Sequence, residues 1–417
     1  MNPPHDAVII GAGLAGLSCA LHLQRAGRRC LLLEADTAPG GRVQTDRVEG
    51  FLLDRGFQVF LTAYPEAQGL VDGRVLGFRP FAPGALIRWR GAVHRLDDPF
   101  RVPASLFDAL RSPVSTFADK LRVGLHRASV CRGRAQRLLQ TPGVPAIAAL
   151  KRRGYSPRII ETFFRPFYSG VFLEPGLATS SAMLDFTFRM FASGDVVLPA
   201  TGMGAIPAHL AEQLEPGTLR LGRRVSAIEA GTVVLEGGQR IEASAVVIAT
   251  AAHQVAALVP GAQPDSVCWN ATACLYFDAP EAPYIEPMLM LDAEGSGPIN
   301  HLAVLSNVAR SYAPDGRHLI SASTVGIPNL DDAGLEAAAR QQLAGWFGPQ
   351  AVGAWRLLRL QRIPHALPRQ LPDDLSPPHR PAKLRPGLFL CGDHRAQSSS
   401  QGALASGRLA AEAVLAA

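Results

Sequence analysis

A chain of 417 residues exceeds one typical domain, and a hydrophobic content of 47% supports two substantial cores. The net charge of +6 comes almost wholly from arginine, with lysine only at Lys120, Lys151 and Lys383, and with no nucleic-acid motif beside it this excess does not identify nucleic acid as a partner. No apolar run is long enough to span a bilayer.

The first six residues carry no charged-then-apolar leader, so a secretory signal is not expected. An apolar strand, Ala7-Val8-Ile9-Ile10, then enters the turn Gly11-Ala12-Gly13-Leu14-Ala15-Gly16 and the start of a helix. The next apolar run, Cys30 to Leu33, ends at Glu34. This order predicts a dinucleotide site. Gly11 permits the tight turn, Gly13 admits a pyrophosphate, and Gly16 lets helix and strand approach. The helix N-terminus offers unpaired N–H groups to phosphate, and a carboxylate about 20 residues on accepts hydrogen bonds from a ribose. Shortly after comes Gly40-Gly41-Arg42, where paired glycines allow close backbone approach and a guanidinium neutralises phosphate.

Strand-like runs and glycine turns dominate residues 1–85, 196–255 and 386–417. The continuous apolar stretch Val246 to Ile248 suits a parallel strand covered on both faces. Residues 86–195 read as helical and basic; residues 256–385 mix strands, including Thr272 to Phe277, with a helix near Asp331 to Trp346. The expected architecture is α/β: a discontinuous Rossmann-type domain built from the first three stretches, with an α+β substrate domain inserted as 86–195 and 256–385. The six cysteines show neither a Cys-x-x-Cys pair nor metal-ligand spacing, which fits reduced core thiols in a cytoplasmic protein and no metal.

The fingerprint, Glu34 and Gly40-Gly41-Arg42 together resemble the flavin-dependent superfamily of amine oxidases, phytoene desaturases and protoporphyrinogen oxidases. Gly392-Asp393 followed by Ser399-Ser400-Gln401-Gly402-Ala403 extends the likeness, as do Asp54-Arg55-Gly56-Phe57-Gln58 and Thr201-Gly202-Met203-Gly204. The resemblance implies FAD, held non-covalently. It places Gly11, Gly13, Leu14, Ala15, Gly16, Glu34, Ala35, Val225 and Thr250 around adenosine and pyrophosphate, with Gly40, Gly41 and Arg42. Gly56, Phe57, Gln58, Gly392, Asp393, Ser400, Gln401 and Ala403 then fall toward the flavin. A helix dipole behind the pyrimidine end would stabilise the reduced flavin.

Within that superfamily the departures count. The strand Asn270 to Phe277 carries no lysine where amine oxidases place one, and Thr272 stands nearest that position. Ser399 and Ser400 replace an aromatic wall, a pattern closer to bacterial desaturase-like members. The aromatic segment Phe163 to Phe172, with Phe186, Phe188, Met190 and Phe191, suits either a domain core or an apolar pocket. These features favour hydride transfer to flavin N5 from a hydrophobic, isoprenoid- or tetrapyrrole-like small molecule, with oxygen or a quinone as acceptor. An amine oxidase releasing hydrogen peroxide and a non-catalytic FAD-binding redox sensor are the alternatives. Gln58, His365 and His394 are the catalytic candidates, and Arg165 and Tyr168 the candidates for a polar end of the substrate, beside Thr272. Finally, residues 117–139 carry Lys120, Arg122, Arg127, Arg132, Arg134 and Arg137 against the single acid Asp119. Leu121, Leu125 and Ala128 share one helical face. Such a helix either packs as a solvated face or rests peripherally on anionic lipid.

Overall fold

The aliphatic run His5–Ile10 forms strand β1, buried along its last four residues because both faces are covered. The computed structural model describes residues 5–229, 231–259 and 267–417. From β1 the chain turns through the glycines into helix α1, Leu14–Arg25, and returns as β2, Cys30–Leu33, parallel to β1. On the other side β1 pairs in parallel with Arg240–Ile248, which in turn pairs in parallel with Leu388–Leu390. The strands Val225–Glu229 and Thr232–Leu235 extend this eight-stranded sheet as an antiparallel meander, so it is mixed rather than all-parallel.

Glycines set the closeness of the layers. A Cβ on Gly16 would stand 1.9 Å from the Gly11 carbonyl oxygen, and one on Gly407 would stand 2.2 Å from the Ala15 oxygen. The C-terminal helix Ser400–Leu415 therefore lies hard against α1, tied further by the Ser18 hydroxyl donating to the Leu404 carbonyl at 2.8 Å. Its N-terminus is capped by Ser399, which accepts from the Gly402 N–H.

The second sheet has seven strands in the order Arg356–Pro368, Trp269–Ala279, His318–Thr324, Ile299–Val304, Leu289–Asp292, Gly84–Trp89, Ala92–Asp97. All neighbours are antiparallel except Leu289–Asp292 with Gly84–Trp89. Gly84–Trp89 joins this sheet whole, so a boundary drawn at residue 85 cuts a strand. Lys383–Arg385, ahead of 386, pairs instead with Leu388–Leu390 of the first sheet. The basic stretch 86–195 opens with a hairpin and becomes helical only at about residue 106, including Phe117–Val130, Arg165–Phe172 and Ser181–Ser193. The helix foreseen near Asp331 to Trp346 is Asp332–Phe347, capped by the Asp331 carboxylate.

Candidate functional site

One cavity of about 1930 Å³ runs from the glycine turn after β1 to the helices between residues 106 and 193, well above the usual size of a drug-sized ligand site. At its first end, Glu34 is fixed by two backbone donors, Ala12 N–H at 2.7 Å and Asp36 N–H at 2.9 Å. Ala35, Val225 and Thr250 line the same end, and the Thr250 hydroxyl is buried with no partner among the described residues.

Around the turn, Gly11 has φ +104° and a Cβ there would meet the Ala249 carbonyl at 3.0 Å, so only glycine makes this bend without strain. A Cβ on Gly13 would meet nothing within 4 Å. It would project into open space at the start of α1, whose first turn has neither a side-chain cap nor an acidic residue. Leu14, Ala15, Gly40 and Gly41 close this end, with the Gly40 N–H held on the Ala12 carbonyl at 2.8 Å. An uncapped helix start, a glycine cradle that a Cβ would fill and a buried hydroxyl without a partner among the described residues suit an anionic dinucleotide, and the residues fit it. Gly16 belongs to the packing of α1 and does not line the cavity.

Arg42, read from sequence as a phosphate partner, lines the cavity beside Gly40 and Gly41, and its guanidinium is also engaged within the protein. Its guanidinium donates to the Asp393 carboxylate at 2.6 Å and to the Ala366 carbonyl at 3.0 Å, and stands 5.4 Å from the Trp269 ring centroid. It therefore clasps the loop carrying Gly392-Asp393 to the strand Arg356–Pro368. Gln58 is likewise structural in its contacts: its amide donates to the Arg42 and Arg55 carbonyls, both at 2.9 Å, which shapes the loop through Gly56 and Phe57. The Gly56 N–H donates to the Gln361 side chain at 2.8 Å. Ser400 and Ala403 reach the cavity from the C-terminal helix. Gln401 does not; its side-chain oxygen accepts from the Glu66 N–H across the helix junction.

The candidate catalytic histidines differ in setting. His394 is buried in the wall and folds over Gly392, where a Cβ would lie 2.5 Å from the ring. His365 is exposed and stacks on His253 with centroids 4.4 Å apart, with Trp269 edge-on at 5.4 Å. Its ring neighbours are aromatic, and among the described residues no carboxylate is bonded to it to orient it as a base. The Thr272 hydroxyl lines the cavity but donates to the Thr324 carbonyl at 2.7 Å, so its proton is already engaged. Arg165 is a correction. Its guanidinium chelates Glu161 at 2.6 and 3.1 Å and donates to the Pro175 carbonyl, and it is not part of the cavity wall.

The aromatic segment divides between the two roles read from sequence. Phe163, Phe167, Tyr168, Phe172, Phe188 and Phe191 line the cavity, whereas Phe164 and Phe186 are fully buried behind them. Phe163 and Phe167 stack at 5.4 Å, and Phe191 meets Phe167 edge-on at 5.1 Å. Burial pushes the Tyr168 phenol up, so it stays neutral. His301 escapes the sequence reading, and Asp54 is read there only as the first residue of the motif Asp54-Arg55-Gly56-Phe57-Gln58. His301 sits in the wall against Phe57, and Asp54 lies beneath the Arg55–Gln58 loop at the centre of four hydroxyl and N–H donors. Only pairing of distant segments creates these surroundings.

The sequence model of the family described as flavin containing amine oxidoreductase matches residues 14–415. The chain belongs to that family. As a flavin oxidoreductase it is 24% identical over 460 residues to a 15-cis-phytoene desaturase from an Oncidium hybrid cultivar, covering 99% of this chain and 78% of the relative. Over 171 residues it is 29% identical to the coproporphyrinogen III oxidase of Propionibacterium freudenreichii subsp. freudenreichii, covering 40% of this chain and 31% of that protein. The flavoenzyme also shares its fold with wild-type putrescine oxidase bound to putrescine, at a TM-score of 0.70 and 18% identity over 99% of each chain.

Proposed function

We propose that this flavoenzyme dehydrogenates a hydrophobic small molecule, isoprenoid- or tetrapyrrole-like in size and polarity, with FAD held non-covalently. The observation that carries this reading is the continuity of one cavity from the dinucleotide cradle to a chamber walled by stacked phenylalanines. When bound, the flavin supplies a two-electron acceptor for hydride at N5. The protein's own part is orientation and exclusion of water: Phe163, Phe167 and Phe191 desolvate the substrate, and the Arg55–Gln58 loop, pinned through Gln58 and Gln361, fixes one wall against which it lies. Among the described residues that line the cavity there is no cysteine, which supports non-covalent attachment. Oxygen or a quinone takes the electrons onward.

The test is an anaerobic absorbance spectrum of the purified holoprotein challenged with a host lipid extract and, separately, with an amine panel. The oxidised flavin band is expected to bleach with lipid extract alone. Bleaching by a simple amine overturns the reading in favour of an amine oxidase.

Peripheral contact with anionic lipid belongs to the same proposal. In the helix Phe117–Val130, Phe117, Leu121 and Leu125 are exposed by 74, 62 and 64%. Phe100 and Leu106 are exposed beside them, and Phe100, Leu106, Phe117 and Leu121 all line the cavity, so the apolar patch rims its mouth. Lys120 and Arg127 stand among them, and the one acid of the segment, Asp119, is withdrawn into the protein, bonded to Thr116 and Ser156. Leu121→Glu with Leu125→Glu is expected to lower cosedimentation with phosphatidylglycerol vesicles at low salt by about tenfold, since burial of two leucines and surface charge both contribute. Wild-type protein that ignores such vesicles removes the membrane part of the proposal.

A further inference from the structure

His301, on the strand Ile299–Val304, is 4% exposed and forms part of the chamber wall, its ring centroid 5.1 Å from that of Phe57. Its proton can be located from its neighbours. The Asn300 amide nitrogen lies 2.9 Å from the Pro166 carbonyl, which can only accept, so the NH₂ side of that amide is fixed there. The same nitrogen lies 3.2 Å from His301 Nδ1, so Nδ1 accepts. Burial holds the ring neutral, its pKa lowered to about 4. A neutral imidazole that accepts at Nδ1 carries its hydrogen at Nε2. Nε2 is buried with no hydrogen-bond partner among the described residues. Gly170 packs tightly against the Nδ1 edge, where a Cβ would come within 3.0 Å, so the ring is held in this orientation.

We propose that His301 is a specificity-determining donor, its Nε2–H meeting a hydrogen-bond acceptor on the substrate: a carbonyl, ether or carboxylate oxygen carried on an otherwise apolar frame. A pure hydrocarbon leaves this N–H unsatisfied in a dry site, whereas a molecule with one suitably placed oxygen satisfies it. Phe57, itself half-buried in the wall, packs against the His301 ring, so admitting the oxygen requires the Phe57 ring to turn. The inference rests on the apolar-substrate reading of the chamber and adds one polar atom to it.

The experiment uses the flavin-loaded protein and two probes of one carbon skeleton, geranylacetone and its deoxygenated hydrocarbon, titrated by calorimetry. Wild type is expected to bind the ketone about tenfold more tightly, the worth of one buried hydrogen bond. His301→Phe is expected to abolish that preference by losing ketone affinity while keeping the hydrocarbon. His301→Gln, which retains an N–H donor, is expected to restore part of it. Nitrogen-15 spectra of histidine-labelled protein, with His301 assigned by its loss in the variants, give a readout independent of any ligand and are expected to show the Nε2–H tautomer. Equal binding of the two probes by wild type, or an Nδ1–H tautomer, overturns the proposal: with the proton on Nδ1, against Asn300 and Gly170, Nε2 has no hydrogen to give a ligand. Binding of neither probe overturns the apolar-chamber reading itself, and this inference falls with it.

Discussion

Gly13→Val is expected to yield a folded protein that has lost its flavin. A Cβ at this position finds no atom within 4 Å, so the packing of α1 is expected to persist. The space it would fill is the approach to the uncapped helix start, where backbone N–H groups would receive the pyrophosphate. A rise of about 100-fold in the flavin dissociation constant, some 2.7 kcal/mol, is the expected scale, with the melting temperature of the flavin-free protein little changed. Gly16→Ala provides the contrast three residues on. Its methyl group would stand 1.9 Å from the Gly11 oxygen, and no flexible side chain is there to move. Overpacking of that kind costs about 3 kcal/mol or more and destabilises the domain whether or not flavin is present. Flavin content by absorbance and melting curves of both variants separate the two effects. A Gly13→Val protein that retains flavin as wild type does would place the cofactor elsewhere.

These two glycines also show what a single sequence makes legible. Turn, helix start and distal acid lie within 24 residues, and each is a local requirement of backbone geometry, so Gly11, Gly13 and Glu34 can be read without knowing the rest of the fold. The same holds for the Ser399 cap and for the helix after Asp331. Arg42 was less legible, because its nearest sequence neighbours are glycines whereas its partners, Asp393 and Ala366, come from more than 300 residues away. Arg165 misled for the opposite reason: it sits inside the aromatic run, but the Glu161 one helical turn earlier claims its guanidinium. His301 left no trace in the sequence. A histidine amid Ile299-Asn300 and Leu302-Ala303 looks like any residue of a buried strand, and its significance depends on an asparagine whose orientation is fixed by a carbonyl 134 residues distant.

The aromatic segment illustrates a limit of a different kind. Phe163 and Phe164 are adjacent, yet one lines the cavity and the other is fully buried, and the chain passes through a π-helical turn at Ile160–Phe164 before Arg165–Phe172. A 3.6-residue period does not describe that turn, so spacing alone does not assign each ring its face. Phe167 and Phe191 meet across two helices to form part of the chamber wall.

Asp54 is the second place where a single change should have a large effect, and its pH dependence is distinctive. Its carboxylate accepts from the Thr45 hydroxyl at 2.5 Å, the Met203 N–H at 2.9 Å and the Tyr312 hydroxyl at 3.0 Å, while the Tyr276 hydroxyl donates to its backbone carbonyl at 3.0 Å. It thereby joins the Arg55–Gln58 loop, the Gly202-Met203-Gly204 turn and the second sheet. Asp54→Ala strands three buried donors and is expected to cost about 3–5 kcal/mol, with weaker flavin retention because the loop above it loses its anchor. Burial lifts the carboxyl from 3.8 to about 6 against the opposing pull of those donors. The folded state therefore holds this proton more tightly than the unfolded chain. Its contribution to stability is full below about pH 3.8 and is lost as pH rises through about 6. Asp54→Asn keeps the acceptor for Thr45 and Met203, turns an N–H toward the Tyr312 oxygen, and carries no charge at any pH. Its stability relative to wild type should thus improve between pH 4 and pH 7, by roughly 3 kcal/mol for a shift of about two units. Denaturant unfolding of wild type and Asp54→Asn across that range measures the difference directly. A gap that stays constant with pH would mean that Asp54 titrates as an ordinary carboxylate, the three donors to its side chain offsetting burial.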